Sequence, residues 1–311
     1  MSNATDKQTG AVQTTGHAWD GDLQEYNNPL PRWWVWTFYA TVIFAIVYWI
    51  LYPAWPIGTS YTKGIGNTIT FTVDQTGEET TTHWNTRALL AHDMEYSDGA
   101  VKQQQYLNEI IGASYDEILS DPDKSAFMRS YAKGLFGDNC AACHGSGGTG
   151  VVGLFPNLVD DAWLWGGSTA RIEETLRQGR MGFMPGFGPT FTEAQLDATA
   201  AYVLSMSGHE GGDAEQVAMG QKIFKGETGG CYYCHTSEGT GLESVGSANL
   251  TDSIWTVADV NGAEGYEAKH AAVKHVIENG ISRHMPAWEG RLSDGEIKLL
   301  TAYVYSLSGG Q

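Results

Sequence analysis

The sequence predicts a mainly α chain: one N-terminal transmembrane helix followed by two tandem copies of a small helical domain. Three observations carry that expectation. Trp33 to Tyr52 reads WWVWTFYATVIFAIVYWILY, without a single charge. A block before residue 208 recurs before residue 309. All four cysteines fall in two Cys-x-x-Cys-His runs, Cys140 to His144 and Cys231 to His235, one in each copy.

The apolar run comes first. At about 1.5 Å rise per residue, about 20 residues cover roughly 30 Å, the thickness of a bilayer core. Trp33, Trp34 and Trp36 crowd one end, and Tyr48, Trp49, Tyr52 and Trp55 the other. Aromatic belts of that kind mark membrane interfaces. Pro31 and Pro53 bracket the run as breakers. A buried core helix is the competing reading. A cleaved signal peptide fits worse, because a long polar stretch precedes the run and no small-residue cleavage site follows it. Residues 1–31 are therefore a tail, 32–56 the span and 57–123 a linking region. Within the last, Thr68 to Val73 alternates and is rich in β-branched residues, so a short strand or extended linker is expected. Ala88 to Asp93 and Val101 to Ile111 look helical. No chemistry attaches to this region.

The repeat defines the rest. FMPGFGPTFTEAQLDATAAYVLSMSG (183–208) matches HMPAWEGRLSDGEIKLLTAYVYSLSG (284–309). Met184 and Met285 precede Gly208 and Gly309 by the same interval. Ala132 to Phe136 leads into the first motif as Met219 to Phe224 leads into the second. Self-similarity of this kind marks tandem units. The expected domains are 124–208 and 214–311, joined by the short linker 209–213. Each final helix has a start and a stop. Thr192 to Gln195 resembles a capping box displaced by one residue, and Ser293 to Glu296 is a full one. Gly208 and Gly309 stand where C′ glycines end helices.

Cys-x-x-Cys-His is the attachment signature of a c-type haem. Two thiols add across the two vinyl groups of one porphyrin, so they must sit on a single helical turn. The adjacent His then ligates the iron. A four-thiolate zinc site and a redox dithiol compete, but zinc does not call for a His after each second Cys, and a dithiol needs no second copy. Two covalently bound haem c groups are expected, on Cys140 and Cys143 and on Cys231 and Cys234, with His144 and His235 as axial ligands. Each copy is then a class I cytochrome c domain.

The opposite axial positions fall to Met184 and Met285. Each precedes a proline, which favours extended geometry and suits a loop that presents a thioether to a haem face. Met181 is an alternative in the first copy, and His270, His275 and His284 in the second. Met206, inside a helix, reads as core. His/Met ligation raises the reduction potential and fills both axial sites. Such haems shuttle electrons rather than act on a substrate.

The chain has 311 residues and a net charge of −18. That excludes a nucleic-acid binder, which needs basic stripes, and suits a partner with a positive docking face. Asp160, Asp161, Glu173 and Glu174 could form the matching acidic surface. Lys7 and Arg32 on the N-terminal side balance Lys63 and Arg87 on the other, so charge does not orient the helix. The haem motifs do. Haem c is attached outside the bacterial cytoplasm, which puts the haem domains in the periplasm and the tail in the cytoplasm.

Several segments resemble the membrane-anchored dihaem cytochrome c subunit (CcoP or FixP) of the cbb3-type haem–copper oxidases. Gly16 to Gly21 and Asn28 to Trp34 are similar to that family's pre-membrane signature, and Tyr52 to Pro56 to its exit from the bilayer. Phe155 to Leu158 and Asp161 to Gly167 resemble its first haem domain. Ala142 departs from the Pro often found there. The resemblance implies a single-pass protein of the bacterial inner membrane. It implies electrons arriving from a donor cytochrome c and leaving to a monohaem cytochrome c subunit, then to the catalytic haem–copper subunit of a proton-pumping complex. This chain would hold no oxygen-reducing site. The family also raises crossed axial methionines, each serving the haem of the other domain. A free-standing membrane-anchored dihaem cytochrome c is the main competing function. A dihaem peroxidase is a third reading, opposed by two closed axial sites.

Overall fold

The computed structural model describes residues 13–73 and 78–308. Lys7 and Gly309 lie outside them. Two compact units divide at Val101 and Lys102.

The first unit contains α1 (Arg32–Leu51). Pro31 stands at its N-cap, and Tyr52, extended before Pro53, ends it. No residue of α1 is buried, so the reading as a core helix fails. Among the described residues it is the one helix long and apolar enough to cross a membrane. Hairpin β1 (Thr14–Trp19) and β2 (Leu23–Tyr26) precedes it, turned by Asp20 and Gly21, both at positive φ. After it come β3 (Pro56–Ile57) with β4 (Ser60–Tyr61), then β5 (Thr68–Val73) with β6 (Glu78–His83). The alternating stretch is thus a strand, joined across the hairpin by Thr70 and Thr81 hydroxyls at 2.9 Å. Helix α2 (Thr86–Tyr96) follows, capped by Asn85.

Helix α3 (Asp98–Gly112) spans the boundary. In the second unit come α4 (Tyr115–Ser120), α5 (Pro122–Asn139), α6 (Ala141–His144) and α7 (Thr169–Gln178). Next are β7 (Arg180–Met184), α8 (Glu193–Met206), α9 (Ala214–Lys225), α10 (Tyr232–His235) and α11 (Gly265–Asn279). The unit closes with β8 (Ile281–Met285) and α12 (Asp294–Leu307). Both final helices carry complete capping boxes, so Thr192 pairs with Gln195 in register rather than displaced.

The two cores do not follow the two repeats. Helix α12 packs on α5 and α7, whereas α8 packs on α9 and α11. Phe136 of the first repeat meets Tyr303 of the second, with ring centroids 5.7 Å apart. The counterpart pair, Tyr202 and Phe224, crosses the repeats the other way at 5.4 Å. Residues from β7 to α11 thus form one contiguous body, inserted into another built from α3–α7 and α12. Each buried core therefore draws on both of the expected domains, 124–208 and 214–311. The stretch 209–213 becomes a turn between helices of a single core, where Asp213 caps α9.

The region assigned as a linker, 57–123, also reaches into a core. Leu107, Ile110, Ala113 and Ile118 are buried against α5 and α12. Burying a large aliphatic side chain contributes roughly 1.5–3 kcal/mol, which is ample reason for these helices to dock. Lys298 of α12 fixes them further by donating to the carbonyls of Ile111 and Ala113.

Helices α8 and α9 approach closely because Gly220 faces the Ala198 backbone; a Cβ there would overlap the Ala198 carbonyl. Overpacking of this kind costs about 1–3 kcal/mol. Gly220→Ala should lower the thermal midpoint of the solubilised chain. Gly134→Ala, where an added Cβ meets nothing within 4 Å, should not. Equal midpoints would contradict this account of the helix contact.

Candidate haem sites

Each Cys-x-x-Cys-His run sits where a long helix ends in a single short turn. Cys140 caps α5, and α6 places Cys143 outward and His144 inward. Cys231 and α10 form the same short turn, but Gly226 rather than the cysteine caps α9, and residues 227–230 intervene. In both, the second cysteine is exposed and the first is partly buried. Burial pushes the Cys140 and Cys231 thiols up to about 11, helped by the neighbouring Cys143 and Cys234.

The imidazoles are held alike. His144 Nδ1 lies 3.0 Å from the Pro156 carbonyl, and His235 Nδ1 lies 2.9 Å from the Ala248 carbonyl. A carbonyl only accepts, so Nδ1 carries the proton and Nε2 keeps a free lone pair for a metal. Burial also pushes His235 below the usual imidazole value, although the Ala248 bond acts the other way. Gly150 and Gly241 make these carbonyls available. Both have positive φ, and a Cβ on either would overlap the carbonyl that the histidine needs. Sequence reading missed this pair of glycines and their carbonyls, which stand at equivalent places in the two copies.

The methionines arrive from the opposite repeat. Strands β7 and β8 pair antiparallel, with Arg180 opposite Met285 and Met184 opposite Ile281. Beyond them the chain segments exchange. Trp288 and Glu289 N–H groups bond the last carbonyls of α7, at Leu176 and Arg177. Phe187 and Gly188 bond those of α11, at Ile277 and Glu278. Met285 consequently packs against the core that holds Cys140, and Met184 against the core that holds Cys231.

The alternative ligands lie elsewhere. Met181 is 70 % exposed, on the outer face of β7. His284 stands opposite it on the outer face of β8. His270 Nε2 is engaged by the Asp197 carbonyl at 2.9 Å, and His275 lies beside Asn279 on α11. Met206 packs against the second core.

The residues present fit haem rather than zinc. Among the described residues no three His, Cys, Asp or Glu side chains converge as a metal cluster. Buried donors without partners also lie in both bodies: the indole Nε1 of Trp163 and that of Trp255. They stand at equivalent repeat positions, after Leu158-Val159-Asp160 and Leu250-Thr251-Asp252. An indole donates only, so an acceptor such as a haem carboxylate would satisfy it. The aligned tryptophans were a signal in the sequence, visible once the repeat is extended upstream.

The acidic residues expected to face a partner are largely occupied within the fold. Glu173 accepts from Tyr115 at 2.6 Å and from Arg177 at 2.8 Å. Glu174 holds Arg171 and Arg180. Asp160 lines a cavity of about 230 Å3 beside Trp255, and burial raises its carboxyl.

Two Cys-x-x-Cys-His turns, each sharing a core with one methionine, are the features of a c-type cytochrome, and the same chain carries an apolar N-terminal helix. The comparisons narrow the class. Residues 11–59 match the N-terminal domain of cytochrome oxidase-cbb3, FixP. Residues 130–203 and 215–304 match cytochrome c oxidase, cbb3-type, subunit III. The chain is 40 % identical to the cbb3-type cytochrome c oxidase subunit FixP of Azorhizobium caulinodans, over 97 % of this chain and 95 % of that one. It is 42 % identical to the FixP subunit of a Bradyrhizobium species (96 % and 95 % covered) and 37 % to the CcoP subunit of an Azospirillum species (99 % of both). The chain belongs to the FixP/CcoP family, subunit III of cbb3-type cytochrome c oxidases.

The glycine that opens each histidine to its carbonyl gives a direct test. A non-glycine residue held at positive φ costs about 1–3 kcal/mol. Gly241→Ala should therefore lower the thermal midpoint of the body from β7 to α11, followed by the near-ultraviolet signal of its aromatic residues. An unchanged transition would remove the carbonyl–imidazole account.

Proposed function

We propose that this chain is the electron-accepting subunit of a cbb3-type oxidase complex. It carries two covalent haem c groups, one on Cys140 and Cys143, the other on Cys231 and Cys234. The single observation that carries the reading is the strand crossing, which sets one methionine beside each histidine-bearing core. On that basis His144 with Met285 would hold one iron, and His235 with Met184 the other. Haem supplies reversible one-electron chemistry. The protein's part is to fix imidazole tautomers through Pro156 and Ala248, to hold thioethers on a rigid strand pair, and to close both axial positions. With both positions filled, the haems would pass electrons and leave no place for oxygen, so oxygen reduction would belong to the haem–copper subunit.

The chain sits in the bacterial inner membrane through α1. Its tail is cytoplasmic and its haem bodies periplasmic. A donor cytochrome c delivers electrons, and the monohaem subunit receives them. Native solubilised membranes should yield this chain with a haem–copper partner. Recovery of the chain free of any such partner would favour a free-standing dihaem cytochrome instead.

Ligand crossing has a clean discriminating test. In a chain carrying Cys231→Ala and Cys234→Ala, one haem remains, on the first motif. Met285→Leu should then abolish the methionine–iron charge-transfer band, and Met184→Leu should preserve it. The reverse outcome would establish uncrossed ligands. The parent chain, denatured, should show the mass of two attached haems.

Charge predicts the donor's behaviour. A net charge of −18 attracts a basic donor over a Debye length that shrinks from roughly 30 Å at 0.01 M salt to about 8 Å at 0.15 M. Reduction by a basic cytochrome c should slow across that range in stopped-flow measurements. A flat response would sink electrostatic docking.

A further inference from the structure

The strand crossing carries one group that neither the fold nor the axial ligands use. Along β7 and β8, Arg180, Gly182, Met184, Ile281, Arg283 and Met285 share the inner, half-buried face. Met181 and Phe183 point out, 70 % and 74 % exposed. Arg283 lies on the inner face, two residues before Met285. Its Nη1 and Nη2 are both buried, and neither has a hydrogen-bond partner among the described residues.

A guanidinium cannot shed its charge at ordinary pH, and an unpaired buried charge costs several kcal/mol. Something must compensate it. The inner face offers no carboxylate. Arg180, the other cation there, is already satisfied by Glu174 at 3.1 Å and by the Thr175 hydroxyl at 2.9 Å. Glu174 divides its two oxygens between Arg180 and Arg171.

Its position in the repeat is equally specific. Gly179 to Met184 aligns with Gly280 to Met285, so Gly182 is the counterpart of Arg283. The same two residues face each other in the strand pair. Equivalent residues can stand opposite one another only on the local twofold axis that relates the two haem sites. Arg283 therefore occupies the centre of the crossing, and Gly182 provides room: a Cβ there would meet nothing within 4 Å. The repeat supplies one cation for two sites.

We propose that Arg283 is the counter-ion of a haem carboxylate at this axis, and that its charge holds the reduction potential above what His/Met ligation alone provides. This rests on the reading that each motif carries a haem. Reduction adds one electron to the iron and lowers the net positive charge of the haem. A fixed cation nearby favours that state, and because its Nη atoms are buried the effect is screened less by salt than that of a surface charge.

The test is an anaerobic redox titration of the full, solubilised, haem-loaded chain. Arg283→Gln should keep both haems attached and both methionine–iron bands. At least one haem should shift to lower potential, by about tenfold in the ratio of reduced to oxidised form, or about 59 mV for one electron. Arg283→Lys should recover much of the shift. Gly182→Asp, which places a protein carboxylate opposite the guanidinium, should lower the potential with Arg283 intact. It serves as the independent variant if Arg283→Gln folds poorly. Parent-like potentials in Arg283→Gln, or in Gly182→Asp where that variant alone folds, would overturn the proposal. So would loss of a methionine band in Arg283→Lys, which would mark Arg283 as a strut for Met285. A parent chain without haem would remove the underlying reading, and the proposal with it.

Discussion

The antiparallel pairing of β7 with β8 is the constraint on which the second unit depends. Each strand follows a helix that stops at a glycine of positive φ, Gly179 after α7 and Gly280 after α11. The left-handed turn sends the chain away from its own helix. The freed carbonyls at each helix end are then satisfied from the other repeat, through Trp288 and Glu289 on one side and Phe187 and Gly188 on the other. A Cβ on Gly179 would overlap the backbone at Met285, and one on Gly280 the backbone at Met184. Helix termination, strand pairing and methionine placement are thus a single network of backbone bonds.

That network interlocks the bodies. The first core combines residues from Leu107 to Leu176 with residues from Met285 to Val304. Its two halves are separated in sequence by the whole second body. Contacts so distant in sequence carry a loop-closure cost. The docking of α3 and α4 adds local support, since Tyr115, Glu173, Arg177 and Asp294 link α4, α7 and α12 in one chain of hydrogen bonds. A change at the crossing reaches both bodies, so effects of substitutions there are not additive with those in either core.

Much of this was legible in the sequence. The uncharged run, the two Cys-x-x-Cys-His motifs, the caps at Thr192 and Ser293 and the Met-Pro pairs each rest on local chemistry. The exchange of halves was not legible, for a physical reason. Phe136 can pack on Tyr202 or on its repeat counterpart Tyr303 with the same residue types, and Phe224 likewise. A repeat makes the intra-copy and inter-copy solutions nearly identical in composition, so periodicity cannot choose between them. The choice falls to the strand register and the glycine turns. The role of Leu107, Ile110 and Ile118 was hidden for another reason. They are ordinary apolar residues of amphipathic helices, and only the partner surface on α5 and α12 gives them meaning. The acidic residues of α7 misled in the opposite sense, because charge alone does not reveal that Glu173 and Glu174 are committed to Tyr115, Arg177, Arg171 and Arg180.

The distribution of charge separates two tasks that composition merges. The chain is acidic as a whole, yet the inner face of its crossing strands is cationic, with Arg180 and Arg283 and no carboxylate. Exterior charges act through water. Their field guides an approaching partner and fades within roughly 8 Å at physiological salt. Charges inside the crossing act through protein of low effective dielectric, where a unit charge at 4 Å is worth several times its value in water. Ionic strength can silence the first without touching the second. On the proposed reading, the surface would govern how fast electrons arrive, and the crossing the level at which they rest. The same pair of strands that delivers the methionines also carries the charge best placed to set that level.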